Sequence, residues 1–388
     1  MADTQHIMDA CASRADWLVE TTAALARIES PSGDTDALDQ CGEAIAAHLG
    51  AAGAIVDRLP RSSGAHLRAT LGQGPRQVLL LGHFDTVWPV GTLAQMPVEM
   101  RDGRLHGPGT FDMKAGVAIA ILAASIASAH LRDLRVRFLF TTDEEVGSTS
   151  SRALIEAEAR ASGAVLVFEP ALPGGVLKTA RKGVGTYRLE LQGVSAHAGI
   201  APEAGASAIT ELARQILAIE ALQAPERGTT INTGIVAGGS RSNVVAEHAE
   251  ADIDVRVSES SEQARIGRAF AVLAPQDPRV RIALRGGFER PPLERGPHVQ
   301  RLFALARKAG ASIGLHVREG ATGGASDGNF TAALGVPTLD GLGAIGDGAH
   351  ARHEHVEVAS LSDRAALAAA ILLAIDAGLW PSESNDIR

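Results

Sequence analysis

The sequence predicts an α/β protein: a mixed, largely parallel sheet flanked by helices, carrying an inserted ferredoxin-like βαββαβ unit. Three observations predict it. Short, almost wholly apolar runs at Gln77–Leu81, Val136–Phe140 and Ala164–Phe168 are separated by the Ala-rich segments Met113–Ala129 and Ser151–Ala161. Strands buried on both faces that alternate with helices belong to parallel sheets. After about Arg181 the pattern changes, and Thr186–Leu191 alternates apolar with polar as a half-buried strand does. Finally, 388 residues exceed the ~250–300 at which a single core stops growing.

Helical periodicity runs from Asp3 to Ala26 and from Thr35 to Ala52, ahead of the first apolar run. Beyond Arg181 the strand Thr186–Leu191 leads to an amphipathic helix, Pro202–Leu222. Strands Thr229–Val236 and Glu247–Val257, a helix Glu259–Leu273 and a strand Arg279–Arg285 follow, which is the βαββαβ order. Arg290-Pro291-Pro292 closes the unit, and helix–strand alternation resumes to an Ala/Leu-rich helix, Leu361–Leu379. The expected division is a main domain of residues 1–181 and 293–388, interrupted by an inserted domain of residues 182–292.

Hydrophobic residues make up 45% of the chain but aromatics only 3%, so Ala, Val, Leu and Ile must build the cores. A net charge of -9 excludes nucleic acid as a partner, because counterion release needs a basic surface. Cys11 and Cys41 make neither a disulfide framework nor a CxxC pattern. The N-terminal stretch through Leu18 lacks a basic segment followed by an apolar one. No apolar run is expected to reach the ~20 residues that cross a bilayer. The expectation is a soluble, cytoplasmic protein with no membrane partner.

The chemistry gathers at the ends of the apolar runs. Gln77–Leu81 leads into Gly82-His83-Phe84-Asp85-Thr86, Val136–Phe140 into Thr141-Thr142-Asp143-Glu144-Glu145-Val146-Gly147, and Ala164–Phe168 into Glu169-Pro170. Ligands bind outside the carboxyl ends of strands in open α/β sheets. His83, Asp85, Glu144, Glu145 and Glu169 should therefore share one neighbourhood. So many carboxylates repel unless a cation stands among them. Asp112 lies in the Gly-rich stretch Gly107–Gly116 just before an apolar helix. Alone it reads as a helix N-cap; beside the other sites it reads as a carboxylate able to bridge two cations. Near the C-terminus three histidines compete. His353 and His355 alternate with Glu354 and Val356 as if entering a strand, whereas His350 follows a Gly-rich loop free to approach a site, and it is the expected ligand.

Taken together these stretches resemble the aminoacylase and carboxypeptidase family of dizinc exopeptidases. The matching motifs are His83-Phe84-Asp85-Thr86-Val87, Gly109–Gly116, Thr142–Ser148, Glu169-Pro170, Ser195-Ala196-His197-Ala198-Gly199 and the Gly348-Ala349-His350 loop. Six motifs in order span nearly the whole chain, and within the family it looks most like the glutamate carboxypeptidase branch. The resemblance implies a zinc exopeptidase-like fold and two Zn²⁺ per chain, with Co²⁺ or Mn²⁺ as tolerated substitutes. It implies Asp112 as the bridge, His83 and Glu169 on one metal, and Glu145 and His350 on the other. Asp85 would orient the His83 ring. Glu144 would be the general base, taking a proton from the water between the metals and handing it to the leaving amine.

For the inserted domain the resemblance implies a lid and dimerisation role. His197 would polarise the scissile carbonyl from the partner subunit of a homodimer. Arg256 and Asn243 would bind the substrate's terminal carboxylate and the oxyanion, although a strand-edge salt bridge is the bland role for Arg256. Ser326 and Asp327, in Gly323-Gly324-Ala325-Ser326-Asp327-Gly328, match a loop near the substrate side chain. The implied substrate is a small N-acyl or peptidyl amino acid with a free α-carboxylate, glutamate favoured; an aminoacylase or dipeptidase with another preference is the alternative. A non-catalytic binding protein on the same fold would need a lost ligand or base, and none is missing. Two patterns mislead. Gly341–Gly346 matches GxGxxG, but Asp347-Gly348-Ala349-His350 follows instead of a helix that could hold a pyrophosphate. His353-Glu354-His355 lacks the HExxH spacing of helical zinc proteases.

Overall fold

The computed structural model describes residues 4–61 and 64–379. Contacts divide the chain into two units. The first comprises Met1–Thr179, Arg295–Ala321 and Ser326–Arg388; the second comprises Ala180–Glu294 with Thr322–Ala325. That last short piece groups with the second unit, not with the main domain where the sequence placed it.

In chain order the first unit begins α1 (Thr4–Ala12), α2 (Ala15–Ala26), α3 (Thr35–Ala51), β1 (Ile55–Leu59), β2 (His66–Leu71), β3 (Arg76–His83), β4 (Glu99–Arg101) and β5 (Arg104–His106). It continues with α4 (Ala115–Ser128), β6 (Leu134–Thr141), α5 (Arg152–Arg160), β7 (Ala164–Val167) and β8 (Leu177–Arg181). The second unit contributes β9 (Gly183–Gln192), α6 (Ala208–Glu220), β10 (Thr230–Gly238), β11 (His248–Val257), α7 (Ser260–Ala271) and β12 (Arg281–Arg290). The chain closes with α8 (Pro297–Ser312), β13 (Glu319–Thr322), α9 (Gly328–Ala333), β14 (Thr338–Leu339), β15 (Gly346–Asp347), β16 (His355–Glu357) and α10 (Leu361–Asp376).

The main sheet has the order β1-β2-β6-β3-β7-β14. β3 runs parallel to both β6 and β7, and β14 parallel to β7, while β2 and β1 add an antiparallel margin. Leu79, Leu81, Leu139, Val165 and Val167 point to one face, where Ile155 and Ala159 of α5 and Phe330 of α9 cover them. Val78, Leu80, Val136, Phe138 and Leu166 point to the other, under α4, α10 and the N-terminal helices. Both faces are therefore buried, which is why β3 and β7 read as continuous apolar runs.

α4 is the central element of that core; from Ala115 to Ala124 every residue is buried. Gly116 sits where no side chain fits: a Cβ there would lie 2.0 Å from the carbonyl oxygen of Phe168. Two stretches among the described residues, Thr110–Ser128 and Val358–Asp376, are 19 residues long and have the composition of a bilayer span. Their apolar surface faces the core instead: 83% of one window and 61% of the other is buried inside the protein.

Within the second unit the sheet order is β10-β11-β9-β12, with all three strand pairs antiparallel, and this is the ferredoxin-like arrangement of βαββαβ. Leu212 and Ile219 of α6 and Ile266 and Phe270 of α7 pack with Leu189, Ala251, Ile253 and Val255 on one side of it.

Three helices depart from expectation for local reasons. Asp3 lies outside the described residues, and the first helix breaks at Ser13-Arg14, where the Ser13 hydroxyl donates to the Ala10 carbonyl at 2.8 Å. Pro202–Leu222 divides because Ala206 pairs with Val194; Ser207 then caps α6 by accepting from the Thr210 N–H. α4 starts at Ala115 because Asp112 (φ -114°, ψ 94°) and Met113 (φ -134°, ψ 39°) are non-helical.

Candidate metal centre

Parallel pairing sets the site. β3 ends at His83, which stands opposite Thr141 at the end of β6. The Phe168 N–H donates to the Leu81 carbonyl at 2.9 Å, so the end of β7 delivers Glu169 beside His83. The short turn Glu144–Val146 follows β6. Asp112 arrives from the lead-in to α4, and His350 from the loop between β15 and β16, where its φ of 60° bends the chain.

Five predicted ligands meet here. His83 Nε2 lies 3.3 Å from Asp112 Oδ1 and 3.4 Å from Glu169 Oε1. His350 Nε2 lies 3.5 Å from Asp112 Oδ2 and 3.0 Å from Glu145 Oε2. Asp112 thus turns one oxygen to each histidine and belongs to both trios, His83–Asp112–Glu169 and Asp112–Glu145–His350. Metal–ligand bonds of ~2.0–2.1 Å at tetrahedral angles put neighbouring ligand atoms ~3.3–3.4 Å apart. The observed separations have that size. Moreover, Asp112 Oδ1 and Glu145 Oε1 are buried and take no hydrogen bond, a costly state for a carboxylate unless a cation satisfies it. The donor set fits a pair of divalent cations bridged by Asp112.

The electrostatics say the same. Burial pulls the His83 imidazole down, but Asp112, Asp85 and Glu169 outweigh it and hold the ring well above its ordinary value. Asp112 and Glu145 push His350 up to about 10. Burial raises Asp112, yet the two histidines win and drive its carboxyl far below the usual range. Burial pushes Glu145 up. The site demands positive charge.

Asp85 does more than the sequence suggested. Its backbone carbonyl lies 3.0 Å from His83 Nδ1, with its Oδ1 at 3.3 Å. A carbonyl only accepts, so Nδ1 carries the proton and Nε2 is left to face Asp112 and Glu169. The carboxylate itself accepts the Glu144 and Glu145 N–H groups at 3.2 Å each and the Ser32 hydroxyl at 2.7 Å. Asp85 therefore holds both the ring and the acidic turn. Glu144 is buried within that turn.

One residue escaped sequence reasoning. Glu354, only 1% exposed, points its carboxylate into the loop that carries Asp112. Oε1 accepts the N–H groups of Phe111 (2.9 Å) and Asp112 (3.1 Å). Oε2 accepts the N–H of Gly109 (2.9 Å) and the indole N–H of Trp88 (2.8 Å). Burial pushes this carboxyl up to about 7, against the pull of those donors. Nothing in His353-Glu354-His355 marks the middle residue, because its partners are main-chain amides far away in sequence. His353 is exposed and His355 enters β16, as expected of residues outside the ligand set. Lys114, also buried, donates to the carbonyls of Leu25 (3.1 Å) and Ile28 (2.7 Å) at the end of α2.

Ser326 and Asp327 turn their side chains inward. Both are buried: the Ser326 hydroxyl donates to Asp340 at 2.6 Å, and Asp327 accepts from Ser148 and from Thr141 (3.4 Å). Through Ser148 and Thr141, Asp327 braces the interior behind the Glu144–Glu145 turn. Gly341–Gly346 opens no helix, as expected. In the second unit His197 and Asn243 are exposed and share a short antiparallel contact, with the Ala198 N–H donating to the Asn243 carbonyl at 3.0 Å. Arg256 forks onto Asp254, with Nε and Nη2 each 2.8 Å from a carboxylate oxygen. It does so on β11, an interior strand and not an edge.

A family model described as peptidase family M20/M25/M40 matches residues 79–374. The chain belongs to this family. That makes it a metal-dependent peptidase or hydrolase. Carboxypeptidase G2 of Pseudomonas sp. (strain RS-16) is 29% identical over 93% of this M20 chain and 90% of its own. A succinyl-diaminopimelate desuccinylase of Bordetella petrii is also 29% identical, over 86% and 92%. Among solved structures, a Bacillus subtilis protein described as a dinuclear metal-binding peptidase of family M20 superposes with a TM-score of 0.68 at 14% identity, covering 94% of this chain and 99% of that one.

Proposed function

We propose that the protein hydrolyses the amide bond of an N-acyl or peptidyl amino acid carrying a free α-carboxylate, with glutamate the favoured C-terminal residue, at a two-zinc centre. The observation that carries this reading is Asp112 standing between His83 and His350 with one oxygen toward each. His83 and Glu169 would hold one ion, Glu145 and His350 the other, and Asp112 both. When bound, the ions would supply Lewis-acid polarisation of the scissile carbonyl and would lower the pKa of a water. Glu144 takes the proton of the attacking water and passes it to the leaving nitrogen; a C–O bond forms as the C–N bond breaks.

Cleavage beside a free carboxylate is supported by the carboxypeptidase G2 relative and by the guanidinium of Arg256, whose fork matches a carboxylate once released from Asp254; the choice of glutamate follows the motif resemblance. The desuccinylase relatives favour a second acyl class, so N-succinyl-diaminopimelate belongs in the panel beside N-acyl-glutamate, folyl-glutamate and dipeptides. An aminoacylase or dipeptidase would show itself there by another side-chain preference. Turnover that survives a chelator refutes the reading. Glu144→Ala should retain two zinc ions per chain and lose turnover by ~10²–10⁴-fold, the usual worth of a general base; surviving activity removes Glu144 from that role.

Homodimerisation is part of the proposal, because His197 would be lent across subunits to polarise the carbonyl, with Asn243 at the oxyanion. Ile235 and Val236 on the sheet-edge strand β10 and Leu217 on α6 support a seam there, since they are exposed apolar residues beside open backbone. A fully active monomer contradicts it. We place the protein in the cytoplasm, in keeping with its acidic, cysteine-poor composition.

A further inference from the structure

We infer that Glu354 is a positioning residue of the metal centre: its carboxylate is the template on which the Gly109–Asp112 loop is wound, and it fixes where the oxygens of Asp112 stand. The inference rests on the two-metal reading above. Four N–H donors converge on two oxygens, two on each, at 2.8–3.1 Å. That fills the four acceptor positions of an ionised carboxylate and matches no other side chain of this size. A buried acid satisfied for stability alone could take its donors from anywhere. Here two of the four are the N–H of Asp112 itself and of the residue before it.

The connection is direct in both directions. Glu354 shares the β15–β16 loop with His350, so one short stretch supplies a ligand to one trio and the brace for the carboxylate common to both. On its other side the carboxylate holds the Trp88 indole, in the stretch that follows His83 and Asp85. A shift of Glu354 would therefore displace Asp112 from both histidines at once and be felt at Trp88.

Glu354→Gln tests this. An amide has one acceptor oxygen, so however it turns, two of the four donors face an N–H group and the loop must move. Metal-free protein, prepared with a chelator, is titrated with Zn²⁺ while bound metal and tryptophan emission are followed; Trp88→Phe identifies the Trp88 component. Wild type should take up two equivalents with a change in Trp88 emission. Glu354→Gln should bind zinc ~10–100-fold more weakly, the usual effect of losing a group that orients a ligand. It should lose the metal-linked emission change, and its kcat should fall more than KM rises. Glu354→Asp keeps the charge with a shorter reach and should fall between the two. A merely structural role would lower the melting temperature and leave the zinc affinity of the folded protein untouched. Wild-type affinity and kcat in folded Glu354→Gln overturn the inference alone; a wild-type chain that binds fewer than two ions overturns the metal-centre reading and this inference together. Should Glu354→Gln fail to fold, Glu354→Asp decides: several-fold weaker zinc binding supports the assignment, and unchanged binding overturns it.

Discussion

Gly116→Ala is the sharpest probe of how packing sets the metal centre. The added Cβ would lie 2.0 Å from the Phe168 carbonyl oxygen and 3.0 Å from Met113 Cε. The methionine end can swing away; the carbonyl belongs to the backbone and cannot. Carbon and oxygen rarely approach closer than ~3.3 Å, so α4 and the end of β7 must part by about 1.3 Å. Asp112 leads into α4 and Glu169 follows Phe168, so the displacement enters between two groups that lie 3.3 and 3.4 Å from the same His83 Nε2. Sites of this kind tolerate only ~0.5 Å. Helix propensity alone argues for stabilisation by ~1 kcal/mol, whereas overpacking a core costs about 1–3 kcal/mol. The expected result is a net loss of stability, a melting temperature lower by a few degrees, and zinc binding weakened at least tenfold. Calorimetry of the metal-free protein and zinc titration read both. A Gly116→Ala variant that melts no lower than wild type and binds two zinc ions equally well refutes the reasoning.

Gly267→Ala in α7 is the opposite case, since a Cβ there meets nothing within 4 Å; urea unfolding should show the second unit stabilised by ~0.5–1 kcal/mol. Glu262 accepts from Arg265, from Arg227 and from the Thr229 hydroxyl at 2.6 Å, and the first-named arginine leads in holding its carboxyl down to about 2. Glu262→Gln should cost about 1–3 kcal/mol at neutral pH, the worth of charged hydrogen bonds. A lowered carboxyl contributes stability that is complete above its unfolded value of 4.5 and lost as pH falls through about 2. The gap between wild type and variant in denaturant melts should therefore close on acidification, and a gap that widens contradicts the assignment.

What could be read in advance follows from where information is stored. His83, Glu144, Glu145 and Glu169 stand at the ends of runs such as Leu79–Leu81 and Phe138–Phe140, whose complete burial marks them as central parallel strands. Strand ends and ligands were therefore legible together. β1 was not, because its residues are mostly exposed and carry no alternating pattern, and the small sheet β15-β16-β5-β4 is built from strands too short for periodicity. The burial of Ser326 and Asp327 was hidden for a related reason. Gly328 lets the loop press against Asp340, 3.1 Å from where a Cβ would be, and so buries side chains that a Gly-rich sequence suggests are open. Glu354 was hidden because main-chain amides have no letter in a sequence.

The ammonium of Lys114 sets a limit on how this protein can be shortened. Its hydrogen-bond acceptors among the described residues, the carbonyls of Leu25 and Ile28, belong to the stretch that ends the second helix. Trimming the N-terminus beyond that point would strand a cation in the interior two residues from Asp112. The opening helices, remote from every ligand in the chain, thereby become a condition for the centre's integrity, and tags belong ahead of them.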